Sequence, residues 1–164
     1  PSSTVPPTTT TTPAPTPTAP PVAPVDSGGG GRDADEVLLA PRFAHWADTY
    51  AVPQDLLEAI AWKESNWQPD AVGPTGNLGL MQLSPATVEL IEGGLLGRDL
   101  DPLDADDALQ MGARFLRYLI DRTESEDEAV AAWRQGLASV QGDGITTAGA
   151  GYVAAITEIR QLRG

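Results

Sequence analysis

Glu64-Ser-Asn-Trp-Gln-Pro-Asp-Ala-Val-Gly-Pro-Thr-Gly-Asn-Leu-Gly79-Leu-Met-Gln82-Leu-Ser-Pro85 is the stretch from which the fold is read. It opens on a carboxylate, passes through turn signals at Gly73-Pro74 and Gly76-Asn77, and closes on Gly79-Leu80-Met81-Gln82 and a fresh helix cap, Ser84-Pro85. Upstream, Leu56, Ile60 and Glu64 are spaced i, i+4, i+8, with Leu57 and Ala61 beside them. A helix starting near Pro53 therefore carries Glu64 on its buried stripe. Burial disfavours the charged form and raises the carboxyl pKa, which keeps the proton a general acid needs. The alternative is a glutamate that snorkels to solvent at a helix end. Between Pro69 and Gly79 a tight loop or small hairpin fits, and no long strand does. Gly79 lets the backbone approach a neighbour closely. Leu80 and Met81 are expected to pack inward, and Gln82 to offer its amide to a polar ligand.

Working outward, composition splits the chain in two. Residues 1–31 hold nine prolines, eight threonines, the run Gly28–Gly31 and a single charge, Asp26. Such a segment has too little to bury to offset its ordering entropy, so it reads as a disordered Pro/Thr/Gly-rich linker. With polyproline II character it would reach on the order of 80 Å. Residues 32–164 are the size of one domain with a core. They carry 22 acidic residues against 10 basic, a formal charge of −12. That balance excludes a nucleic-acid face and disfavours an anionic membrane surface. The absence of cysteine excludes disulfides, a zinc–thiolate site and a thiol nucleophile. No apolar run is long enough to span a bilayer. An exported domain on a tether is expected, with room for a signal, membrane or lipid anchor upstream of Pro1.

The rest of the domain reads as helices, giving a mainly α fold. Val37 to Tyr50 is predicted helical, with Leu38, Leu39, Phe43 and Trp46 inward and Pro41 near the first turn or at a kink. The lone His45 has no metal partner and reads as structural or exposed. Ser84 caps a short helix through Ile91, which Gly93-Gly94 ends. Five aspartates lie between Asp99 and Asp107, but Leu103, Asp104 and Gln110 fail the calcium-loop template. Asp104, Asp106 and Asp107 instead suit a helix N-terminus. That helix, to about Arg122, has Ala108, Met111, Gly112, Phe115, Leu116, Leu119 and Ile120 on one stripe and is the expected core helix. Ser125 and Glu128 form a capping box for a helix through Trp133, stopped by Gly136. Residues 137–148 read as a loop, and a last helix from about Gly151 to Leu162 turns Tyr152, Val153, Ile156 and Ile159 inward.

Glu64-Ser65, Trp67, Pro69, Ala71, Gly79-Leu80-Met81-Gln82 and Pro85 together resemble the catalytic core of the soluble lytic transglycosylases, relatives of goose-type lysozyme. Asp101-Pro102, Gly112-Ala113-Arg114-Phe115-Leu116 and Tyr152-Val153 extend the resemblance over about residues 36–162. The pattern is departed from at three places. Ser84 replaces a second Met, Ala108 an Asn, and Ala132-Trp133-Arg134-Gln135-Gly136 the usual Ala-Tyr-Asn-Ala-Gly. The resemblance implies a monomeric lysozyme-like helical domain acting on peptidoglycan glycan strands. It would cleave the β-1,4 bond between N-acetylmuramic acid and N-acetylglucosamine with no metal and no cofactor. Glu64 would protonate the leaving oxygen, then deprotonate the muramyl 6-hydroxyl to close a 1,6-anhydro ring. No paired carboxylate is evident in the sequence; Asp70, the nearest, reads as a turn residue. By matched position Ser65 and Gln82 would place the sugar or Glu64, Met81 and Tyr152 would line the cleft, and Gln135 would stand in for the missing Asn. Trp62, Trp67 and Trp133 are candidate sugar platforms, with core packing as the alternative, which is preferred for Trp46. A hydrolytic muramidase, a non-catalytic glycan-binding domain and a plain helical interaction domain remain the competing readings.

Overall fold

The computed structural model describes residues 32–163, with side chains from residue 37; the expected linker, 1–31, lies outside them. Helix α1 (Arg32–Tyr50) starts ahead of the expected Val37 and takes Pro41 into its interior. Its buried stripe is Leu39, Phe43 and Ala47, spaced i, i+4, i+8. Leu38, expected on that face, is instead 68% exposed, because one residue is about a 100° rotation about the helix axis. Helix α2 (Gln54–Ser65) follows Pro53, with Asp55 in its first turn, and buries Leu56, Leu57, Ile60 and Ala61. The segment after it forms no strand among the described residues. It holds isolated antiparallel bridges, Val72 with Leu78 and Leu78 with Leu83.

Helix α3 (Pro85–Glu89) is capped by Ser84, whose hydroxyl accepts from Thr87 N at 3.1 Å. It does not stop at Gly93-Gly94. The chain widens into a π-helical stretch, Leu90–Leu96, and ends at Gly97, whose N–H reaches back five residues to Glu92 O at 2.8 Å. Both glycines are exposed and sterically undemanding there, so they weaken the helix without breaking it. Helix α4 (Ala105–Ile120) starts on Asp104, whose carboxylate accepts from Asp106 N and Asp107 N at 2.9 and 3.0 Å. Asp107 takes the N–H of Asp101, and Asp106 takes the indole N–H of Trp46 at 3.1 Å. Those aspartates thus serve backbone and indole donors at the helix start. α4 buries Leu109, Met111, Ala113 and Leu116 completely and is the centre of the core.

Helix α5 (Glu126–Gln135) is capped by Ser125 through Glu128 N. Glu128 reaches back to Glu124 N at 2.8 Å rather than to Ser125 N, so the reciprocal half of the expected capping box overshoots by one residue. The predicted loop 137–148 contains a further helix, α6 (Leu137–Asp143). Leu137 and Val140, three apart, pack on Leu119, Ala129, Ala131 and Ala132, and that burial outweighs the poor helix propensity of Gly142. Helix α7 (Thr147–Arg163) begins before Gly151, because Thr146 caps it: Gly149 N donates to Thr146 Oγ1 at 3.1 Å and Ala150 N to Thr146 O at 2.8 Å. α7 packs on α2 and α5. Arg160 joins all three, pairing with Asp55 and Glu126 at 2.6 Å each. This packing carries Tyr152 to the end of α2.

Candidate active site

Helix α2 ends directly after Ser65 because Asn66 and Trp67 adopt left-handed backbone, φ 55° and 63°. Asn66 N–H closes on Trp62 O at 2.9 Å. Two successive non-glycine residues in that region store strain. Trp67 holds them there: its ring is buried against Phe43, centroids 5.5 Å apart, and its indole N–H donates to Glu58 O at 3.0 Å. Glu64 is thereby fixed in the last turn, 8% exposed, in line with Leu56 and Ile60, both fully buried.

Tyr152 reaches the same carboxyl from α7, its hydroxyl donating to Glu64 Oε1 at 2.5 Å. Burial pushes the Glu64 carboxyl above its ordinary pKa; the Tyr152 hydrogen bond, then Arg134 and Lys63, pull it back without cancelling that rise. The Tyr152 phenol is itself pushed well above its usual value, first by burial and then by the neighbouring carboxylate, so it stays a donor. Because the Tyr152 bond favours the ionised carboxylate, Tyr152→Phe is expected to move the Glu64 titration to higher pH. Carbon-13 NMR of the side-chain carboxyl reads this directly; a lowered midpoint would mean that the bond favours the protonated acid.

Glu64 opens onto a cleft of about 170 Å³. One wall is the loop, with Thr75, Asn77 and Gln82, continuing through Leu83, Ser84 and Pro85 to Thr87. The other is Phe115 of α4 with Trp133 and Arg134 of α5. Trp133 is half-buried and leans on Phe115 at 5.3 Å and 56°. Glu64 is the one carboxylate among these lining residues; Asp70 is exposed and outside them.

Of the residues singled out from sequence, the structure brings Glu64, Gln82 and Trp133 to the cleft and Tyr152 to Glu64. The others are held differently. Ser65 Oγ lies 2.7 Å from Leu80 O and 3.1 Å from Ala61 O, so its proton braces the loop against α2. Met81 is fully buried, seated where a Cβ on Gly112 would come within 2.7 Å of its methyl; it is core beneath the loop, not lining. Gln82 spends both amide hydrogens on Ala71 O and Gly79 O, at 3.1 and 2.9 Å, and its Oε1 lies against Gly73. Gln135 is fully engaged: its Nε2 donates to Ser139 Oγ and Gly144 O, and its Oε1 accepts from Thr146 N and Oγ1. It clamps the α6–α7 connection and has nothing left for a sugar. Trp67 is core, and Trp62 meets it edge-on at 5.6 Å, with the Arg163 guanidinium over both rings. Neither lines the cleft. Thr75, Asn77, Phe115 and Arg134 are not among the site residues read from the sequence; of these, Phe115 carries a signal in the matched run Gly112-Ala113-Arg114-Phe115-Leu116, and Arg134 in the departing Trp133-Arg134-Gln135.

A helical body with one buried acid at a helix end, facing a cleft closed by a bridged loop, is a lysozyme-like domain. The chain belongs to the transglycosylase SLT domain family, which matches residues 41–151. It is 39% identical over 113 residues to the membrane-bound lytic murein transglycosylase F of Pasteurella multocida, covering 63% of this chain and 22% of that one. The chain thus spans about a fifth of the length of the curated relatives it matches. Its fold matches an inactive mutant of the lytic transglycosylase Slt from Pseudomonas aeruginosa, with a TM-score of 0.68 and 20% identity over 76% of this chain and 24% of that one. The 70 kDa soluble lytic transglycosylase of Escherichia coli superimposes with a TM-score of 0.66 and 23% identity, over 74% of this chain and 23% of that one.

Proposed function

We propose that this domain is a peptidoglycan lytic transglycosylase, cutting the β-1,4 bond between N-acetylmuramic acid and N-acetylglucosamine and leaving a 1,6-anhydro-muramyl end. The observation that carries the reading is Glu64: buried, protonated above the ordinary carboxylate range, fixed by Tyr152, and without a second carboxylate in the cleft lining. Two-carboxylate glycosidases need a partner acid some 5–9.5 Å away, as nucleophile or as base for water. With none lining this cleft, the substrate supplies what the protein lacks. With Tyr152 donating to Oε1, the proton sits on Oε2 and passes to the glycosidic oxygen as the C1–O bond breaks. The N-acetyl carbonyl of the same muramyl residue stabilises the cation at C1. The muramyl 6-hydroxyl then attacks C1 and returns its proton to Glu64, so no water is consumed. Trp133 offers a flat face to a pyranose ring. Such a substrate places the protein outside the cytoplasmic membrane. The Pro/Thr-rich segment would serve as a tether and the domain would act as a monomer; no helix among the described residues is long and apolar enough to cross a membrane.

Mass spectrometry of the soluble products from purified sacculi tests this. Anhydro-muropeptides, one water lighter than their hydrolysed counterparts, are expected. Hydrated ends would make the protein a muramidase, and binding without release would make it a glycan-binding module. Activity should fall as pH rises through the elevated Glu64 pKa, since the acid form is lost there. A rate that holds level or climbs across that range would remove Glu64 as proton donor.

A further inference from the structure

Arg134 is the other ionisable residue lining the cleft, and the chemistry above gives it no task. It is half-buried on α5, beside Trp133. The folded domain carries 22 acidic residues against 10 basic. Elsewhere several of its arginines are engaged: Arg117 by Asp121, Arg160 by Asp55 and Glu126, and Arg122 over the ring of Tyr118. Arg134 makes no hydrogen bond or ion pair among the described residues. A guanidinium left without an anion in so acidic a protein, and turned to a cleft, is placed to receive an anion from outside. Its charge also works against the acid beside it by favouring ionised Glu64. An anion seated on Arg134 would cancel that pull at the moment Glu64 must keep its proton.

We propose that Arg134 forms a carboxylate subsite for the muramic acid residue at the scissile bond. The inference rests on the reading of the cleft as a glycan site. The substrate has two sources of this group. In a strand stripped of its peptides the lactyl ether ends in a free carboxylate. In a peptide-bearing strand that group is an amide, and the carboxylates lie on the stem peptide. A guanidinium fork matches either through two parallel N–H···O bonds, which an ammonium cannot reproduce.

The test uses the full chain and four substrates: amidase-stripped strands, peptide-bearing strands, and each of these with its carboxylates converted to methylamides. kcat/KM is measured for wild type, Arg134→Gln and Arg134→Lys. The same strands are titrated against Glu64→Gln with and without Arg134→Gln. Wild type is expected to lose about ten- to a hundredfold in kcat/KM when the favoured strand is methylamidated, the range of a charge-assisted bond. Arg134→Gln should start from that lower value and be indifferent to methylamidation, with Arg134→Lys in between. The alkaline limb of wild type should lie at higher pH on the charged strand than on its methylamide, and this difference should vanish in Arg134→Gln. Preference for stripped strands assigns the lactyl group, and preference for peptide-bearing strands the stem peptide. Equal losses for Arg134→Gln on charged and methylamidated strands, at unchanged Tm, would overturn the subsite. If wild type cuts none of them, the transglycosylase reading fails instead, and the binding titrations alone decide on Arg134.

Discussion

Glu64→Gln is expected to lower wall cleavage by about a hundred- to ten-thousandfold, the span of a lost general acid, and at the same time to stabilise the protein at neutral and alkaline pH. The amide is isosteric and still offers an oxygen to the Tyr152 hydroxyl, so the geometry of the α2 end should persist. It has no proton to give the glycosidic oxygen. The stability gain follows from linkage. Burial raises the folded-state pKa of Glu64 above its unfolded value, so the folded protein holds a proton that the unfolded chain has released. Wild type therefore loses stability as pH rises from the ordinary carboxylate range through the elevated folded pKa. The glutamine variant does not titrate there. Their Tm values should converge in acid, separate through that window in favour of the variant, and then run parallel. A variant that keeps a tenth of wild-type cleavage would show that another group delivers the proton. A variant less stable at pH 8 would show that Arg134, Lys63 and Tyr152 more than compensate the buried charge.

That expected trade of stability for reactivity explains which parts of the site were legible in the sequence. Glu64 was, because a carboxylate in register with Leu56 and Ile60 is a local, periodic fact: a helix puts i, i+4 and i+8 on one side whatever it packs against. The helical class, the core stripe of α4 and the caps at Ser84, Asp104 and Ser125 are local in the same way. What sequence did not give was the destination of polar side chains that are satisfied across the fold. Gln135 was expected at the sugar, yet its four hydrogen bonds go to Ser139, Gly144 and Thr146, which surround it only because residues 137–143 coil into a helix. That helix was hidden because Leu137 and Val140 are a short apolar signal beside glycines, and the surface they cover, on Leu119 and Ala132, is distant in sequence. Ser65 and Met81 fall in the matched motif for a reason other than sugar contact: one braces the loop and the other fills the notch at Gly112. A family motif mixes residues that react with residues that hold the reacting ones still.

The loop's dependence on one glycine leads to the second large effect. Gly79→Ala is expected to destabilise the domain by about 2–5 kcal/mol, combining left-handed strain with overpacking. Gly79 has φ +71°, and a Cβ there would lie 1.7 Å from Pro102 O and 2.8 Å from Pro102 C. Those are backbone atoms, so no rotamer change relieves the clash. Nor can Gly79 itself retreat cheaply. Its N–H donates to Ala71 O at 2.7 Å, and its carbonyl accepts from Gln82 N at 3.1 Å and Gln82 Nε2 at 2.9 Å. Moving it therefore displaces Gln82 and the cleft wall that Gln82 helps form. Gly76 is the control. It too is left-handed, φ +82°, but a Cβ there would meet nothing within 4 Å, so Gly76→Ala should cost only the strain, about 1–2 kcal/mol. Urea unfolding of the two variants separates these contributions: the difference between them measures how tightly the 101–102 segment bears on the loop. If the two midpoints coincide, that contact is soft. Cleavage by Gly79→Ala, assayed where it remains folded, should then fall no further than in Gly76→Ala. If they differ as expected, the loss of cleavage in Gly79→Ala should exceed its loss of folded protein, because the displaced Gln82 no longer faces Glu64 across the cleft.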